Sequence, residues 1–568
     1  MASDHTDTRS WLSSLWATHG GFAALLPANR AAAVAFSDVH ARLTVPSQNM
    51  MVSQGEMTLP EALAFYDGLS PDRTSGDPST PQEVNDSSFS SSGTDDDADL
   101  ATTTVGAFVF SFEMMPLRRK LGWFVGLPLC AKFQTKAAKA DVDMALTLNP
   151  SHGVASDHLL FSFLPDSNAF AIRNLCKDSH VTLKGEMIRS RRWAALLHPD
   201  AILVIGDLSY HVVLNVPLEC EGEYMSRRNK YATSELEFEV PIASVSSTPK
   251  SVAMNVGPWQ LRSSPGQGSK SVFFSAIGPR GELAVVKQLV RKDSRSGKDA
   301  DIEIRQYEEI RDRLQHHPNR EFVVGLRELI YSNGRHMFEQ DQPADIVNII
   351  LSPLGRGTFW DMLIHAKDTV DRYVALALFA QVLSGVSALH GVDYVHRDIK
   401  PTNLAVLSLR PPKAVVLDLD QARYIPNNLS KGVECNPGRG GTIGYHAPET
   451  EVAGGSYGQP TDAFALGSTG FHLFTGEKLI DSKDNPFRRP LSDRASPEEM
   501  SRVRGRFDAT LDGLKGGGKD PIQDLLLGLL QPLPGDRLTL AEAIKHYAVA
   551  PVLPREKIQT GEKRQRGQ

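Results

Sequence analysis

The stretch that most limits what this chain can fold into is His396-Arg397-Asp398-Ile399-Lys400-Pro401-Thr402-Asn403. Ahead of it, Ala375, Leu378, Phe379, Val382, Leu383, Val386 and Leu389 recur at helical spacing, so an amphipathic helix feeds the motif. Behind it come two apolar runs, residues 404–407 and 414–417, split by a Pro-Pro turn. The second run ends in Asp418. Helix, polar loop and hairpin together bring Asp398, Lys400, Asn403 and Asp418 to one place.

This arrangement resembles the catalytic loop of eukaryotic-type protein kinases. Phosphoryl transfer needs a carboxylate to orient the attacking hydroxyl, a cation near the phosphate, and oxygen ligands for magnesium. The resemblance gives these roles to Asp398, to Lys400, and to Asn403 with Asp418. ATP and Mg2+ are the implied cofactors, and a protein Ser/Thr hydroxyl the implied acceptor.

Other motifs extend the resemblance over residues 255–550, a two-lobed α+β fold. Gly266-Gln267-Gly268 resembles the start of the glycine-rich loop, with Ser271 where the third glycine would stand. Val272 lies fifteen residues before Lys287, which ends an apolar strand and resembles the nucleotide lysine. Its partner should be a glutamate on the next helix, placed at residues 302–314 after a polar loop at 291–299. Glu303, Glu308 and Glu309 compete, and the family's placement of its glutamate about nine residues before a second histidine, here His317, implies Glu308. Residues 346–351 read as a buried strand leading to a hinge at Ser352-Pro353-Leu354-Gly355.

Asp418-Leu419-Asp420 stands where the family has Asp-Phe-Gly. Asp420 adds a carboxylate that either assists the metal or fills a turn. Gly441-Thr442-Ile443-Gly444-Tyr445-His446-Ala447-Pro448-Glu449 resembles the segment that closes the activation loop. There Thr442 would bond Asp398 and Lys400, Glu449 would pair with Arg537, and Asp462 would brace the catalytic loop. Arg397 would face a phosphosite, for which Ser430 is a candidate. Lys400 and Thr442 point to serine/threonine specificity. Ser271 and Asp420 keep open a pseudokinase, a scaffold that binds nucleotide or partners without turnover.

The 568 residues exceed one ordinary domain. Residues 1–69 carry patchy helical signals at Leu12, Leu15 and Trp16 and at Phe22, Leu25 and Leu26, with a helix start at Thr58. Residues 70–100 are rich in Ser and Asp and too poor in apolar side chains to offset ordering entropy, so a disordered linker is expected. Residues 101–245 show short strands with turns, the pattern of an all-β sandwich. This part resembles the forkhead-associated domain, an eleven-stranded sandwich that binds phosphothreonine. His158, Gly185 and residues 197–206 carry that likeness. Leu127, Ala155 and Ser179 stand where its phosphate-binding side chains would be. A protein partner at this domain is expected, without strong phosphothreonine binding.

A net charge of −6 gives no reason to expect nucleic acid. No apolar run is long enough for a membrane span. Four scattered cysteines fit a reducing compartment, cytoplasmic or nuclear, with no zinc site. Residues 551–568 form a basic tail.

Overall fold

The computed structural model describes residues 8–42, 49–67, 102–128, 142–238, 254–334, 344–426, 433–434, 442–480, 505, 508–514 and 520–553, except 178, 199, 215, 263–265, 268–270, 366–369, 443 and 451–455. The 70–100 linker, Gly268, Ser430 and nearly all of the basic tail lie outside the described residues. Two compact units emerge, residues 1–263 with 276–283, and residues 264–275 with 284–568.

The first unit begins with strands β1 (Gly21–Pro27), β2 (Met50–Thr58), β3 (Thr102–Ser111), β4 (Trp123–Gly126), β5 (Met144–Ala145) and β6 (Leu159–Phe163). Then come β7 (Phe170–Asn174), β8 (Val181–Leu183), β9 (Glu186–Met187), β10 (Trp193–Ala195), β11 (Asp200–Ile205) and β12 (Leu208–Leu214). One sheet has the order β2-β3-β1-β12-β11-β8-β9 and the other β10-β7-β6-β4-β5. Both feed one aromatic core: Phe22 of β1 meets Phe170 of β7 at 5.1 Å, and Phe110 of β3 meets Phe161 of β6 at 4.7 Å. The two sheets therefore form a sandwich.

The helical reading of residues 22–26 is corrected: they form β1, a central strand between β3 and β12. β1 is buried along its whole length. Phe22 and Leu25 enter the sandwich core, while Ala24 and Leu26 pack under the helices Thr8–His19, Arg30–Arg42 and Leu59–Asp67. A strand apolar on both faces loses the alternation that distinguishes it from a buried helix. Within this stretch, β1 and β2 thus belong to the sandwich, and the three helices pack on its sheet. The helix Glu221–Ser234, within the span read as strands alone, sets Tyr224 and Tyr231 against the same core.

A third sheet has the order β13-β14-β16-β17-β19-β18, with β15 beside β16. Its strands are β13 (Asn255–Val256), β14 (Trp259–Leu261), β15 (Gly266–Gln267), β16 (Ser271–Ile277), β17 (Leu283–Arg291), β18 (Gly325–Tyr331) and β19 (Asp345–Ser352). The helix after β17 spans Ser294–Leu314, eight residues earlier than the sequence suggested. Asp293 and Ser296 form a capping box that starts it inside the supposed polar loop. After β19 the second unit is mainly helical, built on Arg372–Gly391 and Gln459–Thr475. Among the described residues, Arg372–Gly391 alone is long and apolar enough to cross a membrane, yet 72% of its apolar window is buried in the protein. It is the central helix of a core with Leu466, Leu525 and Leu540.

Candidate active site

The helix Arg372–Gly391 delivers the chain to His396 and Arg397, whose backbone N–H groups donate to the Asp462 carboxylate at 2.8 and 2.9 Å. His390 lies against the same carboxylate at 2.9 Å. Burial by itself would raise the pKa of Asp462, but these partners hold it below the usual carboxylate range. A buried anion on a rigid helix thus pins the start of the loop. Arg397 adopts φ +73°, a strained turn for a residue with a side chain. Its guanidinium lies 3.9 Å above the Tyr457 ring.

The loop then presents Asp398 with its carboxylate held on both oxygens. Lys400 Nζ donates to Oδ2 at 2.7 Å, Asn403 Nδ2 to the same oxygen at 3.0 Å, and Thr442 Oγ1 to Oδ1 at 2.7 Å. Lys400 also donates to Thr442 Oγ1 at 2.8 Å. Asn403 reaches the Asp398 carbonyl as well, at 2.8 Å. Its amide nitrogen is therefore committed and its oxygen is the atom left for a cation.

Lys287, on β17, is only 3% exposed and meets Glu303 at 2.6 Å and Asp418 at 3.6 Å. Burial pushes the ammonium pKa down, but Tyr307, Glu303, Asp418 and Asp420 outweigh it and the net shift is upward. Lys287 stays charged. The assignment of Glu308 is corrected: Glu303 is the partner. Glu303 shares a helical face with Tyr307 and Ile310, at i, i+4 and i+7, and that face turns to the core. Glu308 is one residue past Tyr307 and points about 100° away from that face. Glu309 accepts instead from the Tyr394 hydroxyl at 2.6 Å. The sequence carried this signal: Ala300, Ile304, Tyr307, Ile310 and Leu314 mark the buried stripe.

Asp418 takes φ +56°, and Leu419 is fully buried in the core with Tyr307. Asp420 leaves Oδ1 buried without a hydrogen bond. Burial, then the charge of Asp418, pushes its pKa up to about 6. Lys287, Glu303, Asp398, Lys400, Asp418, Asp420 and Ser271 line one cavity of about 570 Å³. Gly266 of β15 pairs with Phe273, and Val272 with Gln267.

Farther out, Arg537 makes a two-pronged bond to Glu449, at 2.6 and 2.7 Å. Its other donors reach the carbonyls of Gln531, Pro460 and Pro532. Removing either partner of such a buried pair costs about 3–5 kcal/mol. This pair is structural and fixes the segment that ends in Glu449.

The donor set fits a magnesium–nucleotide. Asp418, the Asn403 oxygen and the orphaned Asp420 oxygen are hard ligands. Among the described residues no three His, Cys, Asp or Glu side chains gather closely enough to hold a metal by themselves. The remaining ligands would be phosphate oxygens and water, as Mg2+ commonly takes.

The family model for the protein kinase domain matches residues 259–548, half of the chain. The chain belongs to the protein kinase family. Among curated relatives, the probable serine/threonine-protein kinase HSL1 of Saccharomyces cerevisiae is 25% identical over 55% of this chain and 20% of its own length. Serine/threonine-protein kinase GIN4 of the same yeast is 25% identical over 51% of this chain and 24% of itself. This kinase chain thus spans about a fifth to a quarter of those two proteins. Human calcium/calmodulin-dependent protein kinase type 1B is 27% identical over 51% of this chain and 75% of its own. The crystal structure of Rad53 1-466 in complex with AMP-PNP aligns with a TM-score of 0.40 and 15% identity, over 75% of this chain and 91% of that one.

Proposed function

We propose that this chain is an ATP- and magnesium-dependent serine/threonine protein kinase. The hydrogen-bond set on Asp398 carries the reading. A carboxylate fixed by Lys400, Asn403 and Thr442 is oriented to accept the proton of a substrate hydroxyl as its oxygen adds to phosphorus. Lys400 offsets charge beside it. Lys287, held by Glu303, would receive the nucleotide phosphates, and Asp418 with Asn403 the cation. Magnesium, when bound, supplies charge neutralisation at the phosphate oxygens. The test is incorporation of labelled phosphate by the whole chain with magnesium-ATP, followed by phosphoamino-acid analysis. Phosphoserine and phosphothreonine are expected, and no incorporation into the chain or a general acceptor protein would overturn the reading. The departures at Ser271 and Asp420, where the family has glycines, favour the rival, a nucleotide-binding scaffold without turnover.

The N-terminal unit is proposed to be a divergent forkhead-associated-like sandwich. In support, its described residues form two sheets packed on one aromatic core. Its phosphothreonine site is proposed to be lost. Leu127 is buried in the core, and His158 is occupied by the Ala155 N–H at 3.0 Å and by Ser179 Oγ at 2.7 Å.

A further inference from the structure

Another cavity, of about 580 Å³, lies within the first unit, walled by β8 to β11, the β13–β14 hairpin and residues 279–280. Its volume suits a ligand site. Lys184, Arg189, Arg192 and Arg280 line it, against the single carboxylate of Glu186. None of these four cations is ion-paired among the described residues, and all four are exposed. His198, on the same wall, is held below its ordinary pKa by burial and by the charges of Lys184 and Arg262, so the local field is positive.

Gln260 stands on the same wall. It lines this cavity, its side chain is 1% exposed, and neither Nε2 nor Oε1 has a hydrogen bond. The main chain of Gln260 is paired on both sides, with Asn255 and with Ile277, so the ladder makes no use of the amide. A buried primary amide with donor and acceptor both unsatisfied is costly. A ligand that presents one acceptor and one donor side by side relieves both.

We propose that this cavity binds an acidic peptide segment. The C=O and N–H of an extended main chain match the Gln260 amide, and carboxylate or phosphate side chains match the rim cations. The layout favours a chain over a small anion. The amide is buried while the four exposed cations come from three separate stretches of wall, the β8–β9 turn, the segment before β10 and residues 279–280, so an extended chain is better suited than one free phosphate to meet several of them. The site is separate from the His158 loops and does not depend on the kinase reading.

The test uses the full chain without nucleotide or magnesium. Fluorescein-labelled twelve-residue Ser/Asp peptides, one plain and one carrying phosphoserine, are titrated by anisotropy, with inorganic phosphate as competitor. Both peptides should bind, more weakly as salt rises, with phosphate a poor competitor. Arg189→Glu with Arg192→Glu should weaken binding at least ten-fold; both positions are exposed, so the fold is not at risk. Gln260→Leu should weaken the peptides while leaving phosphate competition unchanged. Binding of the phosphopeptide alone, still lost on charge reversal, supports the site and makes phosphate its source of charge. The proposal is overturned if neither peptide binds, if charge reversal changes nothing, or if ATP or a short oligonucleotide displaces the peptide more effectively than unlabelled peptide does.

Discussion

Around Asp398 and around His158 the chain crowds polar side chains together, and the two clusters end in opposite states. Lys400, Asn403 and Thr442 grip the Asp398 carboxylate while the group still lines a cleft. Around His158 the partners are spent on each other: the ring takes the Ala155 N–H and Ser179, and Asn174 takes the Cys176 N–H. His158 is fully buried, and burial lowers its pKa to about 4, so it brings no positive charge. Polar residues become chemistry only where their mutual bonds leave an atom facing a cavity.

The widest effect should come from Asp398→Asn, which keeps the shape but removes the proton acceptor. Turnover should fall about 10²–10⁴-fold while nucleotide binding, read by fluorescence or calorimetry, stays within two-fold or so. Comparable turnover in wild type and variant would erase the contrast between the two clusters.

A sharper cut separates two glutamates on one helix. Glu303→Gln should lower kcat/KM by roughly ten-fold or more, because Lys287 loses a charged partner at about 2 kcal/mol. Glu308→Gln should change it by less than about two-fold, as expected for a surface substitution. Equal losses in steady-state assays would reject the pairing seen here.

On the sandwich side, phosphothreonine peptides should bind the whole chain no more than about three-fold better than their unphosphorylated forms, less than one hydrogen bond's worth. A large phosphate-dependent gain in calorimetry, retained when Arg189 and Arg192 are reversed, would restore a working site near His158.

His158 also sets a pH dependence with a definite sign. Its folded pKa, about 4, lies below the ordinary 6.5, so the unfolded chain binds more protons between those values. Stability should therefore fall as pH drops from 6.5 towards 4. Urea midpoints of the wild type and of His158→Gln should draw together on acidification. Parallel curves would show that the buried ring does not set the slope.

A modest effect belongs to Asp420→Gly. Removing the orphaned carboxylate should raise the magnesium needed for half-maximal nucleotide binding a few-fold, on the order of 1 kcal/mol. An unchanged magnesium requirement would leave Asp420 as a turn residue.

How much could be read beforehand follows the same division. The motif around Asp398 was legible because its chemistry is contiguous, and Asp418 follows on the next hairpin. Glu303 was missed because spacing from a distant histidine outweighed the helix's own buried stripe. In the sandwich, β6, β7, β11 and β12 alternate or sit between clear turns, and so they were legible. β1 was not, because both its faces are covered by side chains far away in sequence. Asp420 was visible as an oddity, but its unsatisfied oxygen belongs to the packed cleft and to no local pattern.

One edge of β1 must wait during synthesis for β12, which follows about 180 residues later. At ribosomal speeds of roughly 5–20 residues per second, that delay is on the order of 10–40 s. Until then that edge has no hydrogen-bonding partner of its own, the kind of edge that other nascent chains can pair with. A fragment begun near residue 100 meets the converse problem. It inherits β3 and β12 with an empty slot between them, and an intermolecular strand could fill that slot as readily as the missing one.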